Sequence, residues 1–303
     1  MLKKEIIILL FVFSSFFPLS AANNQSNFSI APSPVAYPYF VPGAIDGRVD
    51  GSYVSIKMDQ VSLKGAFFDF KARGAMNSFL AVNGELGIGM MKGSMPGIPP
   101  MVLIPTGGAS GGYYYTRTDG DATLSFLEAR PTLNLEIQLL DYHSFSFIVF
   151  GGIQLSYAQM TSQTKYSLIV PPPYSNAGKT YSGYTNTLEI TSSMTGFQMG
   201  MQLNIPLSGE VRLSPFFMMS SLSGTATITD NPGYSGASSQ SYSADIPKST
   251  STSFGMDIVI SEISIGTVFQ QIKSTEQSNG NVKVVMISAG YHFSSGDGEE
   301  TGK

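Results

Sequence analysis

The sequence predicts an all-β chain, folded as a transmembrane antiparallel up-and-down β-barrel of ten strands. Three observations predict it. From Leu124 to Gln159 the chain alternates apolar and polar residues through two long runs with one short polar turn between them. Along the whole chain, long Gly/Ser/Tyr-rich connections alternate with short ones. Charged residues make up only 13% of the chain, about half the share usual in soluble domains, and there is no cysteine.

In the first run of that hairpin, Leu127, Ala129, Leu133, Leu135, Ile137 and Leu139 share one face, and Glu128, Arg130, Thr132, Asn134, Glu136 and Gln138 the other. Asp141 to Ser144 make the turn. In the second run Phe145, Phe147, Val149, Ile153, Leu155 and Tyr157 oppose Ser146, Gly152, Gln154, Ser156 and Ala158. Strand side chains alternate with period 2, so the pattern gives one greasy and one polar face. Strands of soluble proteins average about 5–6 residues, whereas crossing hydrocarbon takes about 9–11 tilted ones. These runs are long enough to cross.

The N-terminus reads as an export signal over residues 1–22. Lys3 and Lys4 supply charge, Ile6 to Phe17 the apolar stretch, and Ser20 and Ala22 a cleavage site near Ala22. The competing reading, a membrane anchor, suits the run less well because it is short and broken by Pro18. Beyond residue 22 no apolar run approaches the 18 or so residues of a spanning helix. Residues 23–44 carry Pro32, Pro34, Pro38 and Pro42 and read as an extended periplasmic lead-in. The net charge of −4 is too small to argue for nucleic acid as a partner.

Gly47 to Met58 and Val61 to Ala72 form a weaker hairpin, with Ala66, Phe68 and Phe70 outward and Phe67, Asp69 and Lys71 inward. Phe79 to Met91 is a strand whose Asn83 and Glu85 face inward. Lys92 to Ala122 reads as a long loop, as do Thr161 to Thr187 and Gly224 to Thr250. Leu188 to Ile205 and Glu210 to Ser223 pair about a turn at Pro206 to Gly209. Phe254 to Ile260 returns through Ser261 and Glu262 to Ile263 to Phe269. Val282 to Phe293 closes the series, and residues 294–303 form a polar periplasmic tail. Ten strands result. Eight is the alternative, with residues 45–73 as a periplasmic or plugging segment.

In the last strand Lys283, Val285, Ile287, Ala289, Tyr291 and Phe293 alternate with Val284, Met286, Ser288, Gly290 and His292. The ending Gly290-Tyr291-His292-Phe293 resembles the terminal strand signal of single-chain bacterial outer-membrane barrels, and the general plan is similar to that of small OmpW-like or OmpX-like barrels. The resemblance implies residence in the bacterial outer membrane, with outer-membrane lipid and the barrel-assembly machinery as partners. It also implies that the aromatic end residue is read during insertion, although Ser294 to Lys303 follows it here.

Inward positions carry what chemistry there is. Glu85, Glu128, Arg130, Glu136 and Arg212 are candidate lumen-lining residues, and Phe79, Phe126, Phe216 and Met218 are expected to narrow the bore. An interior of this strand number is scarcely wider than its side chains. An ion-pair network that fills it competes with a narrow pathway. The two histidines, His143 and His292, fall at the periplasmic end, away from any external substrate, so no enzyme, metal site or cofactor is expected. Gly178-Lys179-Thr180 lacks the earlier glycine and the strand–helix context of a phosphate loop. The function expected is narrow passive passage of a small solute. The alternative is a surface adhesin or ligand-binding barrel acting through Tyr113, Tyr114, Tyr115, Tyr181, Tyr184, Tyr234 and Tyr242 in external loops, since Tyr gives contact area at low entropy cost.

Overall fold

A computed structural model of the chain describes residues 29–30, 40–58, 61–96, 101–103, 115–142, 145–170, 177–208, 210–231, 233, 238–274 and 281–295. The expected signal segment, His143, Tyr113, Tyr114, Tyr234 and nearly all of the expected tail lie outside these residues.

Eleven strands form one antiparallel sheet: β1 Ile45–Met58, β2 Val61–Ala75, β3 Leu80–Met95, β4 Met101–Leu103, β5 Tyr115–Tyr142, β6 Phe145–Ile169, β7 Thr180–Ser208, β8 Val211–Asn231, β9 Gln240–Ile260, β10 Ile263–Ser274 and β11 Asn281–Ser294. β4 is a three-residue addition to β5. The other strands close into a ring of ten, because β3 pairs with β5 and β1 with β11. The ten-strand expectation therefore holds, and residues 45–73 belong to the wall.

The ring sorts side chains by alternation. Outward positions carry Phe68, Leu133, Ile153, Phe197, Met199 and Ile265, each between 49% and 70% exposed. So much bare apolar surface is stable only against lipid, which makes the ring a membrane-spanning barrel. Tyr142, Tyr291, Phe293 and Phe79 stand exposed at the end where β1 begins and β11 finishes, as an aromatic girdle does at a bilayer interface. Phe79 is thus a correction. At 56% exposure it sits in the turn before β3, where strand alternation does not hold. Asn77 makes that turn, its Oδ1 accepting from the Phe79 and Leu80 amides at 2.9 and 2.8 Å.

Two expected loops, Thr161 to Thr187 and Gly224 to Thr250, are largely sheet, and the described residues of Lys92 to Ala122 are nearly all strand. β5 to β9 run 28, 25, 29, 21 and 21 residues, against 12 to 16 in β1–β3, β10 and β11. β6 and β7 stay paired up to Ile169 and Thr180, and β8 and β9 up to Asp230 and Gln240. Half of the barrel wall therefore continues upward as a five-stranded sheet. Its sequence is rich in Ser, Thr and Tyr on both faces, the signature of strands that leave the hydrocarbon for water.

The expected periplasmic lead-in is also corrected for those of its residues that are described. Ser29, Ile30 and Phe40 are buried inside the barrel. The Ser29 Oγ accepts from Gln154 Nε2 and its carbonyl from Gln270 Nε2, both at 2.7 Å. Ile30 packs among Phe67, Phe126 and Met286, and the Phe40 amide donates to Gln138 Oε1 at 3.0 Å. Inward-facing amides thus satisfy the Ser29 carbonyl and the Phe40 N–H.

Candidate functional site

The lumen has two layers. Toward the end where β1 begins lies an ionic layer. Arg48 on β1 donates to Asp257 on β9 at 2.5 Å and to Asp50 at 2.6 Å, and Lys71 joins Asp50 at 3.0 Å. Arg130 on β5 donates to Asp69 on β2 and Glu85 on β3, each at 2.9 Å. Arg73 pairs with Asp46 at 2.7 Å and with Glu136 at 3.5 Å, and its guanidinium lies 4.8 Å from the centre of the Phe40 ring. All of these side chains are at most 5% exposed. A charge so far from water persists only when paired and hydrogen-bonded.

Glycines in the wall make room for these pairs. Gly87 lies between Arg130 and Asp69 in the register, and a Cβ there would come within 2.7 Å of both and 2.5 Å of Phe67. Gly266 and Gly290 lie beneath Asp257 and Asp50 in the same way. Above this layer Val54, Ile56, Leu63, Phe67, Met91, Leu124, Phe126, Val284 and Met286 form an apolar cluster. Around β6 to β8 amides and hydroxyls share the filling with Phe150, Phe216 and Met218: Gln198 donates to Asn134 at 2.8 Å and Ser214 to Asn204 at 2.7 Å.

Of the expected lumen residues, Glu85, Glu128, Arg130 and Glu136 are buried in the bore. They are not one constellation. Glu85 and Arg130 meet directly, Glu136 joins Arg73 and Asn83, and Glu128 accepts from Ser156 Oγ at 3.0 Å beside Ser29 and Ile30. Arg212 is half-buried at the end where β1 begins, paired with Val259. Sequence reading missed Arg48, Asp50, Asp257 and Arg73 as site residues. Their alternation in β1 and β9 marks them as inward, but only the closed ring shows that Arg48 meets Asp257 across two intervening strands. His292, opposite Arg48, is buried at the base of the bore.

The expected external-loop tyrosines fare differently. Tyr181, Tyr184 and Tyr242 are strand residues of β7 and β9, and Tyr115 opens β5. Tyr184 stacks on Tyr166 of β6 with ring centres 5.4 Å apart, and Lys179 lies 5.0 Å from the Tyr181 ring. Tyr242 pairs with Ile228 and is exposed. Cross-strand aromatic pairs stiffen a sheet, so these side chains are held on a rigid support.

No family model and no curated protein matches the chain. Among solved structures it is similar to the outer membrane protease OmpT from Escherichia coli, at TM-score 0.47 and 10% identity, covering 84% of this chain and 98% of that one. It is similar also to the outer membrane protein OprG from Pseudomonas aeruginosa, at TM-score 0.37 and 12% identity, covering 84% and 98%. Ail, the attachment invasion locus protein of Yersinia pestis, matches at TM-score 0.33 and 12% identity, covering 84% and 100%. All three scores lie below 0.5, so no residue role or activity is carried over from them.

Proposed function

We propose that the protein is a non-enzymatic barrel of the bacterial outer membrane whose lumen is a filled scaffold and whose tall strand wall contacts a ligand at the cell surface. The observation that carries this reading is the ionic layer. Arg48–Asp257 reaches over β11 and β10 and Arg130–Asp69 over β3, on adjoining arcs of the wall, and the apolar cluster with Ile30 stands above them. A solute would have to break buried ion pairs, each uncompensated partner costing several kcal/mol. The wall supports the other half of the reading. It is polar and exposes Tyr242 beside Ser241, Ser243 and Thr227, a surface suited to a protein or glycan partner.

Narrow passage is the second reading, and one observation favours it. Part of the filling, Ser29 and Ile30, is not wall but chain held by Gln154 and Gln270. Planar-bilayer recording tests both. The scaffold reading expects no conductance from the chain beginning at residue 23 nor from one beginning at Gly43. Steady current from the full chain overturns it. Current only from the shortened chain makes Ser29, Ile30 and Phe40 part of a stopper in a channel.

A further inference from the structure

Five lysines stand side by side on the outer surface, at the upper rim of the short-strand half. Lys273 on β10, Lys283 on β11, Lys57 on β1, Lys64 on β2 and Lys92 on β3 take one place each on five neighbouring strands. Lys283 is directly opposite Lys57, and Lys64 directly opposite Lys92. All five face away from the bore, since their strand neighbours Ile272, Val282, Ile56, Leu63 and Met91 are buried. Lys283 is half-buried and the other four are exposed. Among the described residues none of the five makes an ion pair.

Two like-charged pairs in direct register are a standing cost, because opposed side chains start about 4.5–5.5 Å apart at Cβ and repel. The cost falls on one arc alone. Followed along the register, Lys92 opposes Ser125, Ser125 opposes Thr161 and Thr161 opposes Glu189, so the row of lysines ends at β3. Directly below the lysines the apolar belt begins, with Tyr53, Phe68, Met90, Phe269 and Val285 exposed. The arc therefore sits where lipid headgroups meet the barrel on the long-connection side. A phosphate oxygen there can accept from several ammonium groups at once, while acyl chains lie against the belt beneath.

We propose that this lysine arc binds the phosphate-bearing headgroup of a lipid in that leaflet. The proposal rests on the membrane-barrel reading above. Native mass spectrometry of the folded chain with phosphatidic acid reads binding, and urea titration in phosphatidylcholine vesicles with and without phosphatidic acid reads its effect. Each lysine near a charged surface is expected to supply about fivefold in affinity. Lys57→Gln with Lys64→Gln should therefore weaken phosphatidic acid binding by more than tenfold, and Lys165→Gln, higher on the wall, should leave it unchanged. Lys57→Gln alone should raise the urea midpoint in phosphatidylcholine, by relieving its clash with Lys283, and lower it when phosphatidic acid is present. That reversal of sign is what a purely structural lysine would not give. Unchanged binding in the double variant, or shifts of the same sign in both lipids, overturns the proposal. So does stabilisation by inorganic phosphate equal to that by phosphatidic acid, which would make the arc a site for a soluble anion. A wild-type chain that does not insert into phosphatidylcholine at all overturns the barrel reading instead.

Discussion

Phe293 covers Gly47, its direct partner across the seam where the last strand meets the first. A Cβ on Gly47 would lie 2.0 Å from Cζ of that ring, so only glycine leaves room for the aromatic to lie there. The residue that resembles an insertion signal is therefore also a seal. Phe293→Ala is expected to cost about 1 kcal/mol of cross-strand packing and to lower the amount of folded barrel. Gly47→Val should act in the same direction by displacing the ring, and deletion of residues 296–303 should not. Heat-modifiability on gels, which separates folded from unfolded barrel, reads all three variants. A loss caused by the deletion alone would show that the tail, and not the seam, governs assembly.

Arg130 neutralises two carboxylates at once, so Arg130→Ala leaves Asp69 and Glu85 buried beside each other with only Lys71, already bonded to Asp50, as a nearby cation. The expected loss is about 3–5 kcal/mol. Replacing all three, with Arg130→Met, Asp69→Asn and Glu85→Gln, should recover part of it, since Glu128 is then the one carboxylate of the group left without the cation it faces. Urea titrations in lipid vesicles give both numbers. Loss in the triple variant as large as in Arg130→Ala would mean that packing against Phe67, whose ring centre is 4.9 Å from the guanidinium, dominates over charge.

Two glycines of one strand make a paired test. Gly87→Ala places a methyl among Phe67, Arg130 and Asp69, whereas Gly84→Ala on the opposite face meets nothing within 4 Å. The first should cost about 1–3 kcal/mol by overpacking and the second nearly nothing. Equal effects would show that Gly87 does not sit beneath the ion pair.

What the sequence made legible follows from where one face was greasy. In β5 and β6 the belt residues Leu133 and Ile153 alternate with Asn134 and Gln154, and period 2 is visible without any structure. The upper wall gives no such signal. From Thr161 to Lys165 and from Thr225 to Thr229 the outward face is polar and the inward face holds small or polar residues such as Ser162, Thr164 and Ala226, so the period-2 contrast fades and the chain imitates a loop. Lumen residues were legible one at a time, as polar positions inside a strand. Their partners were not, because Arg48 and Asp257 are separated by most of the chain and meet only through closure of the ring. Ser29 and Ile30 were missed for a related reason. A Pro-rich segment carries no periodicity, and nothing local tells whether it hangs in water or lies against the Gln154 and Gln270 amides.

The membrane face itself can be measured by depth. Val149 projects outward from β6 in the midst of the belt, between the levels of Phe147 and Ile153, while Gln159 projects outward near its upper edge. An arginine at the midplane of a lipid-facing wall costs about 2–4 kcal/mol, falling to about 0–1 near the interface. Val149→Arg should therefore fall in the first range and Gln159→Arg in the second. Ser146→Arg tests the other face. Ser146 is fully buried and accepts from Asn204 Nδ2 at 2.9 Å, so the bore has no room for a guanidinium there. It should cost at least as much as an overpacked core, about 1–3 kcal/mol, in detergent and lipid alike. The Val149→Arg penalty, by contrast, should shrink in short-chain lipid, where a thinner bilayer lets the side chain reach water. Folding titrations in vesicles of two thicknesses separate the two causes. A Val149→Arg cost that ignores thickness, or one matched by Gln159→Arg, would mean that this face of β6 does not meet hydrocarbon.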